Sequence, residues 1–153
     1  MSQHTALLQW RFTGGDFLRG KYSRDHTWTF DGGLTIPASP APGNAPKAFM
    51  NLAGIDPEEA LVASLASCHM LTFLYVAFRG GFAVESYEDH AAGTMAKNDR
   101  GRNWISRVTL RPRIVFHPDH APSREQVAHL HHEAHEECII ANSVKTAVVI
   151  EAA

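Results

Sequence analysis

Cysteine is scarce in this chain, with two among 153 residues, which excludes a small scaffold held together by disulfides. Charge of either sign is equally short, since 14 Lys and Arg stand against 16 Asp and Glu for a formal net charge of -2. That balance leaves no general field to attract nucleic acid or anionic lipid, and neither is expected as a partner. Met1-Ser2-Gln3-His4 shows no basic stretch followed by an apolar run, so no secretory leader is expected and the reducing cytoplasm is the expected compartment. There, Cys68 and Cys138 are either thiols with a task or inert core residues. The sequence holds no H-E-x-x-H, no close zinc-finger spacing of cysteines and no recognisable Cys-His-Asn/Asp signature of a cysteine hydrolase. No metal and no cofactor are expected. No internal repeat or composition shift marks a boundary, so residues 1–153 read as a single domain, with apolar residues at 44% and charged residues at 20%. A domain of this size buries roughly 70% of its unfolded surface and needs no staples.

What is present begins with Thr, Trp, Tyr and Phe concentrated over 5–12 and 22–30, with Gly14-Gly15 and Asp31-Gly32-Gly33 as turns, which predicts an N-terminal meander of strands. Pro37, Pro40, Pro42 and Pro46 make the next stretch a surface loop. Asp56 then suits a helix cap, Pro57 the first helical position, and Glu58 and Glu59 the positive end of the helix dipole. The predicted helix runs on to Phe78 and stops at Gly80-Gly81. It is apolar on nearly every face, and about 20 such residues can cross a bilayer. Ser64, Ser67, His69 and Thr72 argue instead for a central helix enclosed by sheet and by a partner subunit.

Beyond it, 83–95 reads as one strand, Asn98-Asp99-Arg100-Gly101 as a turn, and 104–116 as a strand with one wet face, bent or edge-exposed at Pro112. Ser123 and Gln126 have capping-box spacing and open a second helix ending near Glu137, with Cys138 at its end. Residues 146–151 close the chain as a buried strand. The class is α+β.

The run Asp56-Pro57-Glu58-Glu59-Ala60-Leu61-Val62-Ala63-Ser64-Leu65-Ala66-Ser67-Cys68 resembles the OsmC/Ohr segment that reads N-P-E-[EQ]-L, then small residues, then Cys. His135-Glu136-Glu137-Cys138-Ile139-Ile140-Ala141-Asn142-Ser143-Val144-Lys145 resembles the same family's second cysteine segment before a final strand. The two motifs fall in the family's order, and the likeness of elements covers nearly the whole chain. Asp56 stands where Asn is usual and Ile139 where Ohr-like proteins carry Pro. The Ohr turn that supplies an arginine has no counterpart that aligns directly, Arg24 in Ser23-Arg24-Asp25-His26 and Arg19 in Leu18-Arg19-Gly20 being the nearest. Arg24-Asp25-His26 and Cys68-His69-Met70 look like a separate OsmC-like branch.

The resemblance implies an OsmC-like fold of antiparallel sheets with a long central apolar helix and a second helix, in an intertwined homodimer. It implies a thiol-dependent peroxidase acting on organic hydroperoxides, and less well on hydrogen peroxide, in oxidative-stress defence. By motif, Cys68 attacks, Cys138 resolves to a disulfide that an external dithiol reduces, and Glu58 orients an arginine, Arg24 or alternatively Arg19. Glu58 stands about three turns before Cys68, too far to touch it along the helix. Phe49, Met50 and Leu52, before the helix, are expected to line the substrate site, since an alkyl chain gains burial there that hydrogen peroxide cannot.

Plainer readings stand beside these. A lone Cys68 in an apolar helix is ordinarily a packed core residue. Glu58 alone is a helix-dipole charge, and Arg24 and Arg19 are by type solvated. His129, His131, His132 and His135 crowd the second helix, His131 and His135 one turn apart with Cys138 close behind, which raises a His/Cys metal site as a rival. His69 points about 100° away from Cys68 around the helix and reads as a hydrogen-bonding core residue. The alternative function is a non-catalytic OsmC-like protein that binds a small molecule or metal.

Overall fold

In the computed structural model, which describes residues 2–152, the long helix α1 spans Pro57–Arg79. Its start is fixed reciprocally: Glu59 N–H donates to Asp56 Oδ1 at 2.7 Å and Asp56 N–H to Glu59 Oε2 at 3.3 Å. Its end is a Schellman turn, with Phe82 N–H on the Ala77 carbonyl and Gly81 N–H on that of Phe78. Gly81 adopts φ 78° there, a conformation that side chains other than glycine's resist.

The chain divides into two compact units, Met1–Ala60 and Leu61–Ala153. In the first, β1 (Ala6–Gln9), β2 (His26–Phe30) and β3 (Thr35–Ala38) form an antiparallel meander. The strands are shorter than composition suggests, because Asp16–Lys21 folds into a tight hairpin turn of its own. Pro37 lies inside β3, where a surface loop is expected. An edge strand can hold it because a proline there need not donate to the ladder. The segment that follows is pinned at buried Ser39, whose hydroxyl donates to Asp25 Oδ1 at 3.0 Å and accepts from Asn51 N–H at 2.8 Å.

In the second unit, the strand expected over 83–95 is two, β4 (Val84–Asp89) and β5 (Ala92–Lys97), and the strand expected over 104–116 is β6 (Asn103–Leu110) and β7 (Pro112–Phe116). They are arms of one long hairpin that breaks at His90–Ala91 and Arg111. β4 pairs with β7, and β5 with β6 in a second sheet. Asp89 Oδ1 takes the Arg111 N–H at 2.6 Å where the hairpin switches sheets. The helix α2 spans Arg124–Glu137 with the Ser123/Gln126 capping box formed. The last strand, β8 (Ala147–Ile150), is half-buried rather than buried and pairs in parallel with β6.

α1 packs into two apolar clusters of this unit. Phe73, Val76 and Ala77 meet Leu130 and Ala134 of α2, and Leu65 meets Ile105, Val108 and Leu110 of β6. Gly93 of β5 allows close approach, since a Cβ there would stand 2.7 Å from Val62 Cγ2. Although α1 is long and apolar enough to cross a membrane by length and composition, it is the core helix of this fold. Its buried residues Leu65, His69, Phe73 and Val76 form a stripe at helical spacing. The polar member of that stripe, His69, meets His131 of α2, Nε2 to Nδ1 at 3.1 Å with the rings stacked nearly parallel.

Burial, with His131 and His135 nearby, holds His69 down to about 4 from 6.5, and burial does the same to His131. The unfolded chain therefore binds more protons below pH 6.5, so the stability these rings allow is complete above that pH and is lost as pH falls towards 4. The loss is on the order of 3 kcal/mol per ring. Urea midpoints measured across that window should fall steeply for the native chain and much less for the His69→Phe/His131→Phe double variant. Equal slopes would refute the assignment.

Candidate active site

Cys68 lies on the middle of α1, half-buried, and its carbonyl accepts from Thr72 Oγ1 at 2.9 Å. Cys138 is the C-terminal cap of α2 and is 1% exposed. The chain turns sharply after it because Asn142 closes the turn, its backbone N–H and its Nδ2 both donating to the Cys138 carbonyl at 3.0 Å. This turn carries Cys138 onto α1. The Cys138 thiol donates to the Cys68 sulfur at 2.7 Å, and both cysteines are free.

The turn also aims backbone donors at the sulfurs. Ile140 N–H points to Cys68 Sγ at 3.5 Å and Ala141 N–H to Cys138 Sγ at 3.4 Å. Such donors favour a sulfur that carries charge over one that does not. Burial nevertheless pushes the Cys138 thiol up to about 11, helped by its hydrogen bond to Cys68 and opposed by the Ala141 N–H. Cys138 is therefore kept protonated at neutral pH. Cys68 is the more accessible of the two residues.

The remaining expected residues belong to the first unit. Glu58 accepts from Asn44 Nδ2 at 3.0 Å, while its neighbour Glu59 is consumed by the helix cap. Arg24 is half-buried and anchored, its guanidinium donating to the Tyr22 and Gly20 carbonyls at 3.0 and 3.3 Å and lying 4.2 Å from the Tyr22 ring centre. Arg19 is 78% exposed and pairs with Asp16. Among the described residues neither arginine forms an ion pair with Glu58, so the Glu–Arg pair that the family likeness implies is not made here. Phe49 and Met50 are half-buried and Leu52 is exposed. Phe49 is tied in by its carbonyl, which accepts the Arg24 N–H at 3.1 Å.

Sequence reasoning missed the Ile140 and Ala141 amides, since any residue carries such a donor and only the turn aims it. It also missed the burial of His131, because a helix with four histidines shows no side-chain pattern that singles one out. No group of three or more His, Cys, Asp or Glu side chains suited to a metal occurs among the described residues.

The family model for OsmC-like protein matches residues 50–153. The chain belongs to the OsmC-like family. This OsmC-like chain is 46% identical to an OsmC-like protein of unknown function from Vibrio cholerae, over 100% of both chains, with a TM-score of 0.96. It also shares its fold with an OsmC-like protein from Mycoplasma pneumoniae, at 15% identity over 99% of this chain and 96% of that one, with a TM-score of 0.73. The organic hydroperoxide resistance protein OhrB of Bacillus subtilis is similar in fold, at 24% identity over 97% and 98% of the chains and a TM-score of 0.68. No curated protein matches the sequence.

The unequal burial of the two thiols has a direct readout. Brief treatment of the reduced OsmC-like chain with substoichiometric iodoacetamide at pH 8 should label Cys68 over Cys138 by about tenfold or more, because reactivity follows thiolate content and access. Peptide mapping showing equal labelling would overturn the assigned asymmetry.

Proposed function

We propose that this protein is a two-cysteine thiol peroxidase that reduces organic hydroperoxides, and hydrogen peroxide less well. The observation that carries the reading is the 2.7 Å approach of the Cys138 thiol to Cys68. Two core cysteines placed for packing alone need not meet. The Cys68 thiolate attacks the outer peroxide oxygen, forming the S–O bond as the O–O bond breaks. The alkoxide takes up a proton and leaves as the alcohol, with sulfur oxidised to sulfenic acid by two electrons. The Ile140 N–H supports the thiolate before attack.

Cys138 then attacks the Cys68 sulfur. The S–O bond breaks, hydroxide leaves with the Cys138 proton as water, and a Cys68–Cys138 disulfide remains. An external dithiol restores both thiols by exchange, which places the protein in a reducing compartment such as the cytoplasm. Ile139, directly after Cys138, is an exposed apolar side chain that suits an alkyl group better than a small polar oxidant. The role that follows is defence against peroxide stress.

A homodimer belongs to the same reading. Leu71, Tyr75 and Phe78 are 60%, 54% and 74% exposed and recur at helical spacing along α1, an apolar face that a second copy would cover.

Two measurements test these statements. One equivalent of cumene hydroperoxide should remove two hydrogens from the reduced protein by mass spectrometry, and the Cys138→Ser variant should instead trap a sulfenic acid on Cys68. Thiols that stay reduced at that stoichiometry would end the peroxidase reading and leave a binding protein of the same fold. Light scattering should give twice the chain mass of 16.9 kDa, with Leu71→Glu/Phe78→Glu reduced to a monomer; a native monomer would remove the dimer.

A further inference from the structure

The polar contact between α1 and α2 stands close to the dithiol on both helices. His69 directly follows Cys68 on α1, and His131 lies two turns, about 10 Å, before Cys138 on α2. Both rings are sealed, at 1% and 5% exposure. Among the described residues the 3.1 Å contact is the single side-chain hydrogen bond that either ring makes, since the second nitrogen of each has no partner. Neither ring has another group to turn to if α2 moves.

The rest of that interface is apolar. Phe73, Val76 and Ala77 of α1 meet Leu130 and Ala134 of α2, a cluster in which two of the five residues are alanine and offer little to interlock. Apolar burial is non-directional, so it holds the helices together but fixes poorly where one stops along the other. A hydrogen bond weakens steeply outside a narrow range of distance and angle. The two rings also stack with 6° between their planes, an arrangement that sliding or pivoting of α2 would break. Beyond the helix, the turn after Cys138 packs Ile140 and Ala141 against the Leu65 cluster. That turn aims the Cys138 sulfur, while α2 needs an anchor of its own. The sulfurs stand 2.7 Å apart, and a slip of α2 by one residue's rise, about 1.5 Å, is more than half of that separation.

We propose that the His69–His131 pair is the positioning element of the dithiol: it sets how far along α1 Cys138 arrives, and so the effective concentration of one thiol at the other. The inference rests on the dithiol reading but not on peroxide as the oxidant. It is read from exchange with oxidised glutathione, in which the protein dithiol becomes the Cys68–Cys138 disulfide and the reagent's disulfide bond breaks. Two electrons and both thiol protons pass to the two glutathione molecules released.

The full chain is equilibrated with graded ratios of reduced to oxidised glutathione, the remaining thiols are alkylated, and the two forms are measured by mass spectrometry. His69→Phe/His131→Phe should lower the equilibrium constant for disulfide formation by about tenfold or more, a rise of about 30 mV in potential, with its circular dichroism unchanged. His131→Asn, whose amide keeps a donor and an acceptor near the place of Nδ1, should stay within about threefold of the native value. Val76→Ala loosens the apolar packing and leaves the rings alone, so it should lower the urea midpoint while the constant stays within about threefold. A folded phenylalanine pair with the native constant would overturn the proposal. So would a tenfold fall in His131→Asn, or an equal fall in Val76→Ala, and neither of these results needs the phenylalanine pair to fold. Glutathione exchange that behaves as expected, with thiols that stay reduced in cumene hydroperoxide, would support the positioning role and end the peroxidase reading alone.

Discussion

The second unit depends on one demand made by α1: its buried stripe contains a histidine. Leu65, Phe73 and Val76 find apolar neighbours wherever they meet sheet or helix, but His69 needs a hydrogen-bonding partner or it costs about 1–3 kcal/mol. His131 is that partner. Once the two rings are paired, the register of α2 on α1 is set, and Cys138, two turns beyond His131 on α2, is brought to Cys68, the residue before His69. The dithiol thus inherits its placement from a polar contact within an otherwise apolar packing surface.

Within that register the two sulfurs are given unequal surroundings. Cys138 is sealed at the end of α2 and held as a thiol, whereas Cys68 keeps part of its surface. Both face backbone amides aimed by the turn that Asn142 closes. The asymmetry between the two cysteines therefore arises from solvation rather than from a neighbouring charged side chain in this unit.

Much of this architecture was legible from local chemistry. Asp56-Pro57 and Gly80-Gly81 bound α1 because caps and αL turns depend on residue type, and Ser123 with Gln126 opens α2 for the same reason. The motif around each cysteine pointed to the family. Pro112 marked a bend in the strand over 104–116, but the break at His90–Ala91 and the change of sheet were not legible, because a hairpin that changes sheet keeps its apolar alternation and only the pairing reveals the switch. Pro37 misled for a related reason: proline excludes a central strand, yet whether a strand is central is a tertiary fact. The carboxylate pair at the helix start shows the limit for the site, since Glu58 and Glu59 are equivalent by composition and are separated only by which one Asp56 engages.

Joining Cys68 to Cys138 closes a loop of 70 residues, running from the middle of α1 through both sheets of the second unit to the end of α2. A covalent link of that span removes roughly 4 kcal/mol worth of freedom from the unfolded chain. In the proposed cycle turnover and durability are then the same event seen twice, and a molecule that has just consumed oxidant resists proteolysis and heat until a reductant reaches it.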